Sequence, residues 1–421
     1  MVKLTRFDNG LRLVTEENSG VRSVSVGFWV GAGSGYENAA NNGISHFTEH
    51  VMYKGTAEMT AAQIAERFED LGASMNAFTS KEATCYYFKS IDENLEECFA
   101  LLSHIFYAST YDDAELDKER KVIMEEINMV EDAPEDICYD RLAECAYRGT
   151  GRAQTILGPT ENVARFRGDD VRAYLAKMYT PDNVVISMAG NIPHERAEEL
   201  IAEYVLPVCG KGTCAKTVAP RAVGGGFSKY EKDFEQVNMA FAFPSVPFDH
   251  PDSAVQNVVS FCFGMGMSSR LFQVLREQKG LVYNVYTSAS AYENNGSFGI
   301  YVNTSGKNVA EAVVAVRDEV IKLRRDGLTA EELARAKSQL RSSAIFALEN
   351  TLSMMNAYGK YTLCTDKVYD FDKRLADIAN VTENDVRRFC EKTFDFSKVS
   401  AAYVGKAGPL EKTDIYAEFT K

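Results

Sequence analysis

The chain has 421 residues, 45% hydrophobic and 25% charged, with a formal net charge of −14. That size and balance fit two to three globular domains with sizeable cores. The acidic excess argues against nucleic acid as a partner, which calls for a basic patch, and no apolar run reaches the ~20 residues of a membrane span.

The first residues, "MVKLTRFDNGLRLVTEE", enter a strand-like alternation at once and lack the apolar core of a signal peptide, so a cytoplasmic protein is expected. "VRSVSVGFWV" (21–30) alternates like a strand with one buried face. "GISHFTEH" (43–50) opens a helix, with Ile44, Phe47, Val51 and Met52 at helical spacing and Asn41 or Asn42 as the expected N-cap. On that helix His46 and His50 lie one turn apart on one face, with Glu49 beside them. Two imidazoles so placed can bind one metal, and a carboxylate there can take a proton from a nearby water. HxxEH is also the inverse of the HExxH zinc motif. His104, His194 and His250 stand alone and read as structural or surface residues.

"AAQIAERFEDLG" (61–72) reads as an amphipathic helix, and "ASMNAFTS" (73–80) and "ATCYYFKSI" (83–91) as paired strands. Helices are expected at roughly 92–108, 113–132 and 136–147. A catalytic zinc takes three protein ligands; with the histidines used, the third should be a carboxylate from another element. In "DKERKVIMEEINMVED" (117–132), Glu119 and Glu126 share a face, read as an inward stripe with Val122 and Ile123, while Glu125 points to solvent. Acids on an inward stripe need a partner, which a cation would supply.

"GKGTCAKTVAPRAVGGG" (210–226) reads as a linker between domains at 1–209 and 227–421. The halves repeat. "DVRAYLAKMYTPDNVVISMAGN" (170–191) aligns with "DVRRFCEKTFDFSKVSAAYVGK" (385–406) without a gap, and "AELDKERKVIMEE" (114–126) with "EELARAKSQLRSS" (331–343) at nearly the same offset. The expected class is α+β, two homologous domains, each a mostly antiparallel sheet with helices packed on one face. In the second half "GMSSRLFQVLREQKG" (266–280) aligns with the histidine segment, placing Ser269 and Gln273 where the histidines were, so no zinc is expected there. The nine scattered cysteines, with no CxxC pair, read as reduced thiols.

"WVGAGSGYENAANNGISHFTEHVMYKGT" (29–56) followed by "ERKVIMEEI" (119–127) resembles the pitrilysin-type (M16) inverzincin peptidases, and the likeness extends over essentially the whole chain. The resemblance implies a zinc endopeptidase with one Zn²⁺ per chain on His46, His50 and Glu126, Glu49 as the base, and Glu119 supporting His50 from behind. It implies that "GASMNAFTSKEATCYY" (72–87) lines up substrate, with Asn76, Ala77 and Phe78 in contact through a strand edge. It also assigns Arg276 and Tyr283 to substrate positioning, Tyr283 at the oxyanion and Arg276 on a carbonyl or tail. In that family two such chains enclose a chamber for unfolded polypeptide, each chain being half of the clamshell. A homodimer is expected, with a heterodimer of related chains as the other arrangement. A leader-removing processing peptidase and a non-catalytic partner subunit are the alternative roles.

Overall fold

The structure is a computed structural model that describes residues 2–216, 224–406 and 414–421, so residues 217–223 of the expected linker lie outside the described residues. The first compact unit comprises Met1–Ile127, Gln154–Val218 and Ile345–Tyr369; the second comprises Asn128–Ala153, Ala219–Ala344 and Asp370–Lys421.

The first unit holds a six-stranded sheet: β1 (Val2–Arg6), β2 (Arg12–Glu17), β3 (Ser23–Val30), β4 (Ser74–Thr79), β5 (Thr84–Ile91) and β6 (Val184–Gly190), in the order β1-β2-β6-β3-β5-β4. The second holds β7 (Gly226–Glu231), β8 (Gln236–Ser245), β9 (Val282–Ala291), β10 (Gly296–Ser305) and β11 (Ser400–Gly405), in the order β7-β11-β8-β10-β9. Without β1, the first order maps onto the second strand for strand. In each sheet one pair is parallel, β2 with β6 and β7 with β11, and the rest are antiparallel. The duplication read from the sequence is therefore a duplication of topology. The helices Asp113–Glu131 and Ala330–Leu348, each of 19 residues, repeat at the same spacing as their sequences.

The main layer of helices covers one face of each sheet, as expected, but one helix lies on the other face of each. In the first unit Val24, Val26, Phe28 and Val30 of β3 meet Phe99, Leu102 and Ile105 of the helix Leu95–Ala108, and Phe47 and Val51 of the histidine helix. Yet β3 is buried on both faces rather than one. The second face lies under the helix Thr351–Thr365, a piece of the second half, where Met354, Met355 and Tyr358 pack on Trp29, Cys85 and Val185. The Trp29 Nε1 donates to Met355 Sδ at 3.3 Å, and Ser25 Oγ lies 2.9 Å from Thr351 Oγ1. The exchange is reciprocal. In the second unit the first-half helix Pro134–Ala146 packs Cys138 and Cys145 against Ala240, Ala242 and Ala402. The compact units are thus not the sequence halves 1–209 and 227–421; each takes one segment from the other half. All nine cysteines are free thiols, most of them buried.

Candidate metal centre

The histidine helix runs Ile44–Met52. Its N-cap is Gly43 at φ 98°, a left-handed position where a Cβ would also lie 2.7 Å from Leu157 O. Gly266, its partner in the repeat, has φ 93°. Neither Asn41 nor Asn42 caps the helix. The buried carboxylate of Glu37 does so: Oε2 accepts from Gly43 N (2.7 Å) and Asn42 Nδ2 (2.9 Å), and Oε1 from Ser45 N (2.8 Å) and Ser45 Oγ. Asn41 Oδ1 instead accepts from Asn38 N. A full negative charge on the orphan N–H groups also suits the positive end of the helix dipole.

His46 and His50 lie face to edge, ring centroids 4.5 Å apart, and their Nε2 atoms are 3.5 and 3.4 Å from Glu126 Oε2. The three ligand atoms all fall within 4.8 Å of one another. Tetrahedral zinc with bonds near 2.0–2.1 Å needs ligand–ligand edges of about 3.3 Å, which the two histidine–carboxylate distances match. Behind His50, Nδ1 donates to Glu119 Oε1 at 2.9 Å, and Glu119 Oε2 accepts from Lys54 Nζ at 2.6 Å. Burial works to raise the Glu119 pKa, but His50 and Lys54 outweigh it and hold the carboxyl below its usual range. Because a carboxylate only accepts, Nδ1 carries the proton and Nε2 can turn a lone pair to Glu126. Burial, and then the nearby His50, push His46 down to about 3, which leaves it neutral. Burial lowers the His50 pKa, but Glu119, Glu49 and Glu126 outweigh it and raise it, so in the metal-free site a proton on His50 Nε2 can face Glu126, in the place a metal cation would take. With His50 neutral and the acids ionised, Glu49, Glu119 and Glu126 face one ammonium, Lys54, a deficit that a divalent ion balances. The donor set therefore fits zinc.

Residues 12–160 match the family model described as Insulinase (Peptidase family M16), and 165–340 the one described as Peptidase M16 inactive domain. The chain is 38% identical to an uncharacterized zinc protease, YmxG, of Bacillus subtilis, over 94% of this chain and 96% of that protein. The chain belongs to peptidase family M16. It is also 32% identical to the mitochondrial-processing peptidase subunit beta of Mus musculus, over 97% of this chain and 85% of that one. The M16 fold is shared by a protease from Helicobacter pylori (TM-score 0.90, 19% identity, 96% of this chain and 99% of that). A peptidase M16 inactive domain from Pseudomonas fluorescens shares it too (TM-score 0.88, 20% identity, 97% and 98%).

The other residues singled out in the sequence fall as follows. Glu49 is half-buried, and Oε2 accepts from Thr79 Oγ1 at 2.5 Å; burial raises its pKa despite that bond. Thr79 ends β4, the edge strand of its sheet. Along β4, Met75 and Ala77 pack toward the core shared with the histidine helix. Asn76 is exposed and its Oδ1 accepts from Ala77 N, whereas Phe78 packs on the other face against Trp29 and Tyr87, at 5.3 and 6.2 Å. In the second unit, Arg276 lies in the helical turn Phe272–Gln278, its guanidinium 4.8 Å from the Phe272 ring and 5.8 Å from the Tyr283 ring. Tyr283, near the start of edge strand β9, is 71% exposed. Ser269, the counterpart of His46, is buried, and Gln273 donates to Met267 O.

One expected face needs correction. Ile123 is buried, but Val122 is 52% exposed: the inward line is Glu119, Ile123, Glu126, and Val122 falls to its flank. Glu125 is exposed as expected. His194 is held by the hydroxyls of Thr15 and Thr5, and His104 lies beside Thr56, both apart from the centre. Sequence reasoning missed Glu37, Lys54 and Thr79. Strand alternation would have put Thr79 on the face of Met75 and Ala77, and Lys54 follows His50 by one helical turn; nothing local marks Glu37. Among the described residues no helix is long and apolar enough to cross a membrane.

Proposed function

We propose that this M16 chain is a zinc-dependent endopeptidase acting on peptides or unfolded polypeptide segments. The observation that carries the reading is the convergence of His46, His50 and Glu126 within 4.8 Å, with Glu49 one position before a ligand. Zinc, when bound, supplies a Lewis acid that polarises the scissile carbonyl and acidifies water. Glu49 accepts the proton of the attacking water and passes it to the leaving amine. Glu119 and Lys54 keep His50 in its ligating tautomer. The β4 edge offers main-chain pairing at Asn76, Ala77 and Phe78, which recognises an extended backbone with little regard for side chains. Tyr283 donates to the developing oxyanion and Arg276 holds a substrate carbonyl or tail. One Zn²⁺ serves each chain, and two chains, as a homodimer in the cytoplasm, enclose the chamber; the same chemistry fits a heterodimer. The likeness to a mitochondrial-processing peptidase beta subunit favours, as a second reading, removal of a leader from a specific precursor.

The test is cleavage of a mixture of unstructured peptides, with and without chelator. Wild-type protein cleaves and chelator stops it; Glu49→Gln keeps zinc and loses cleavage; Glu126→Ala loses zinc. Equal cleavage by Glu49→Gln sinks the mechanism, and normal zinc in Glu126→Ala sinks the ligand set. A single cut in each precursor, rather than ragged fragments, selects the processing role.

A further inference from the structure

We infer that Thr79 is the positioning residue for the base: its hydroxyl holds the Glu49 carboxylate in the orientation that water activation needs. The inference rests on the peptidase reading above and extends it to a residue outside the HxxEH and Glu126 motif.

The direction of the hydrogen bond follows from its neighbours. Thr84, opposite Thr79 on β5, is fully buried and donates its one hydroxyl proton to Ala32 O at 2.9 Å. Its oxygen is 3.5 Å from Thr79 Oγ1, against 2.5 Å from Thr79 Oγ1 to Glu49 Oε2. The Thr79 proton therefore goes to Glu49, and an ionised carboxylate can only receive it. No other hydrogen bond to the Glu49 side chain occurs among the described residues. Oε2 is fixed and Oε1 is left for a water.

Thr79 is itself immobilised. The hairpin that follows it is closed by Ser80 N and Ser80 Oγ, both donating to Ala83 O at 2.8 Å. The segment 33–35 buttresses the hairpin tip: Ser34 N donates to Ser80 O and Gly35 N to Lys81 O. A Cβ on Gly33 would lie 2.3 Å from Ser80 O, so only glycine permits that approach. A β-branched residue at a strand end with its partner strand paired through Thr84 has little rotamer freedom. The base thus takes its orientation from the sheet rather than from its own helix, and a small misplacement of a reacting group costs rate steeply.

The experiment compares wild type, Thr79→Val and Thr79→Ser with a peptide that wild type cleaves. Valine keeps the shape and removes the donor; serine restores the donor. Thr79→Val is expected to lower kcat by about tenfold or more, with KM, bound zinc and affinity of the metal-free protein for intact peptide unchanged. Thr79→Ser is expected to recover most of the rate. A wild-type kcat in Thr79→Val overturns the inference, as does a rate loss that comes with lost zinc or that serine does not repair. If wild type, loaded with zinc, cleaves nothing, the peptidase reading has failed first and takes the inference with it.

Discussion

Replacing Glu37 by glutamine tests whether the histidine helix is set by a remote carboxylate. Glu37 is 6% exposed and receives four donors: Gly43 N, Asn42 Nδ2, Ser45 N and Ser45 Oγ. Glutamine has nearly the same shape but offers one oxygen and one NH₂. Whichever way the amide turns, its nitrogen faces a backbone N–H, that of Gly43 or of Ser45. One buried N–H is then orphaned, at about 1–3 kcal/mol, and the surviving bonds lose their charge assistance, worth up to about 1 kcal/mol more. We expect a loss of about 1–4 kcal/mol. At roughly 2–4 °C per kcal/mol for a unit of this size, the first transition falls by about 2–16 °C. The assay is thermal unfolding of the metal-free protein, followed by zinc titration, since His46 lies one turn beyond the cap. Asn41→Ala, at the position a local rule would choose, should change stability by less than about 0.5 kcal/mol. An unchanged unfolding temperature in Glu37→Gln, or an equal loss in Asn41→Ala, refutes the assignment of the cap.

Two further outcomes follow. Burial, and then His50, hold His46 at about 3, below the ordinary histidine value near 6.5, and a depressed histidine contributes stability that is present above 6.5 and lost as pH falls toward 3. Glu119, also held low, acts in the same direction within the acid range. Glu49, which burial raises, acts the other way, so the test is the difference: between about pH 6.5 and 4, denaturant midpoints of metal-free protein should fall less in His46→Leu than in wild type, and identical slopes would contradict the buried neutral state. Gly359→Ala should unfasten the exchanged helix, because the new methyl would sit 2.3 Å from Trp29 Nε1. Overpacking of this kind costs about 1–3 kcal/mol, and Trp29, the only tryptophan, should report it by a red-shifted emission; unchanged emission and stability would show that the contact can yield.

Much of the site was legible because it is periodic. His46, Glu49 and His50 lie on one short helix, and Glu119, Ile123 and Glu126 on one line of another, so helical geometry alone brings each set to a face. The duplication was legible for the same reason, since its two copies keep their spacing. Val122 was misjudged because three residues fall short of a full turn and four exceed it, and only packing decides which neighbour goes inside. The cap was misjudged because the rule for helix starts looks one residue back, while Glu37 returns through a loop.

The sequence by itself determined the two-fold repeat and which half carries the paired histidines and the acids that meet them. Only the tertiary structure decided what surrounds them: Glu37 on the helix start, Lys54 behind Glu119, Thr79 on Glu49, and one helix of each half lying on the other half's sheet. Periodicity acts within an element, over hydrogen bonds a few residues long. These contacts join residues that no local repeat relates, and each is fixed by which surface, once the elements have formed, still has an apolar face to cover or a buried charge to satisfy.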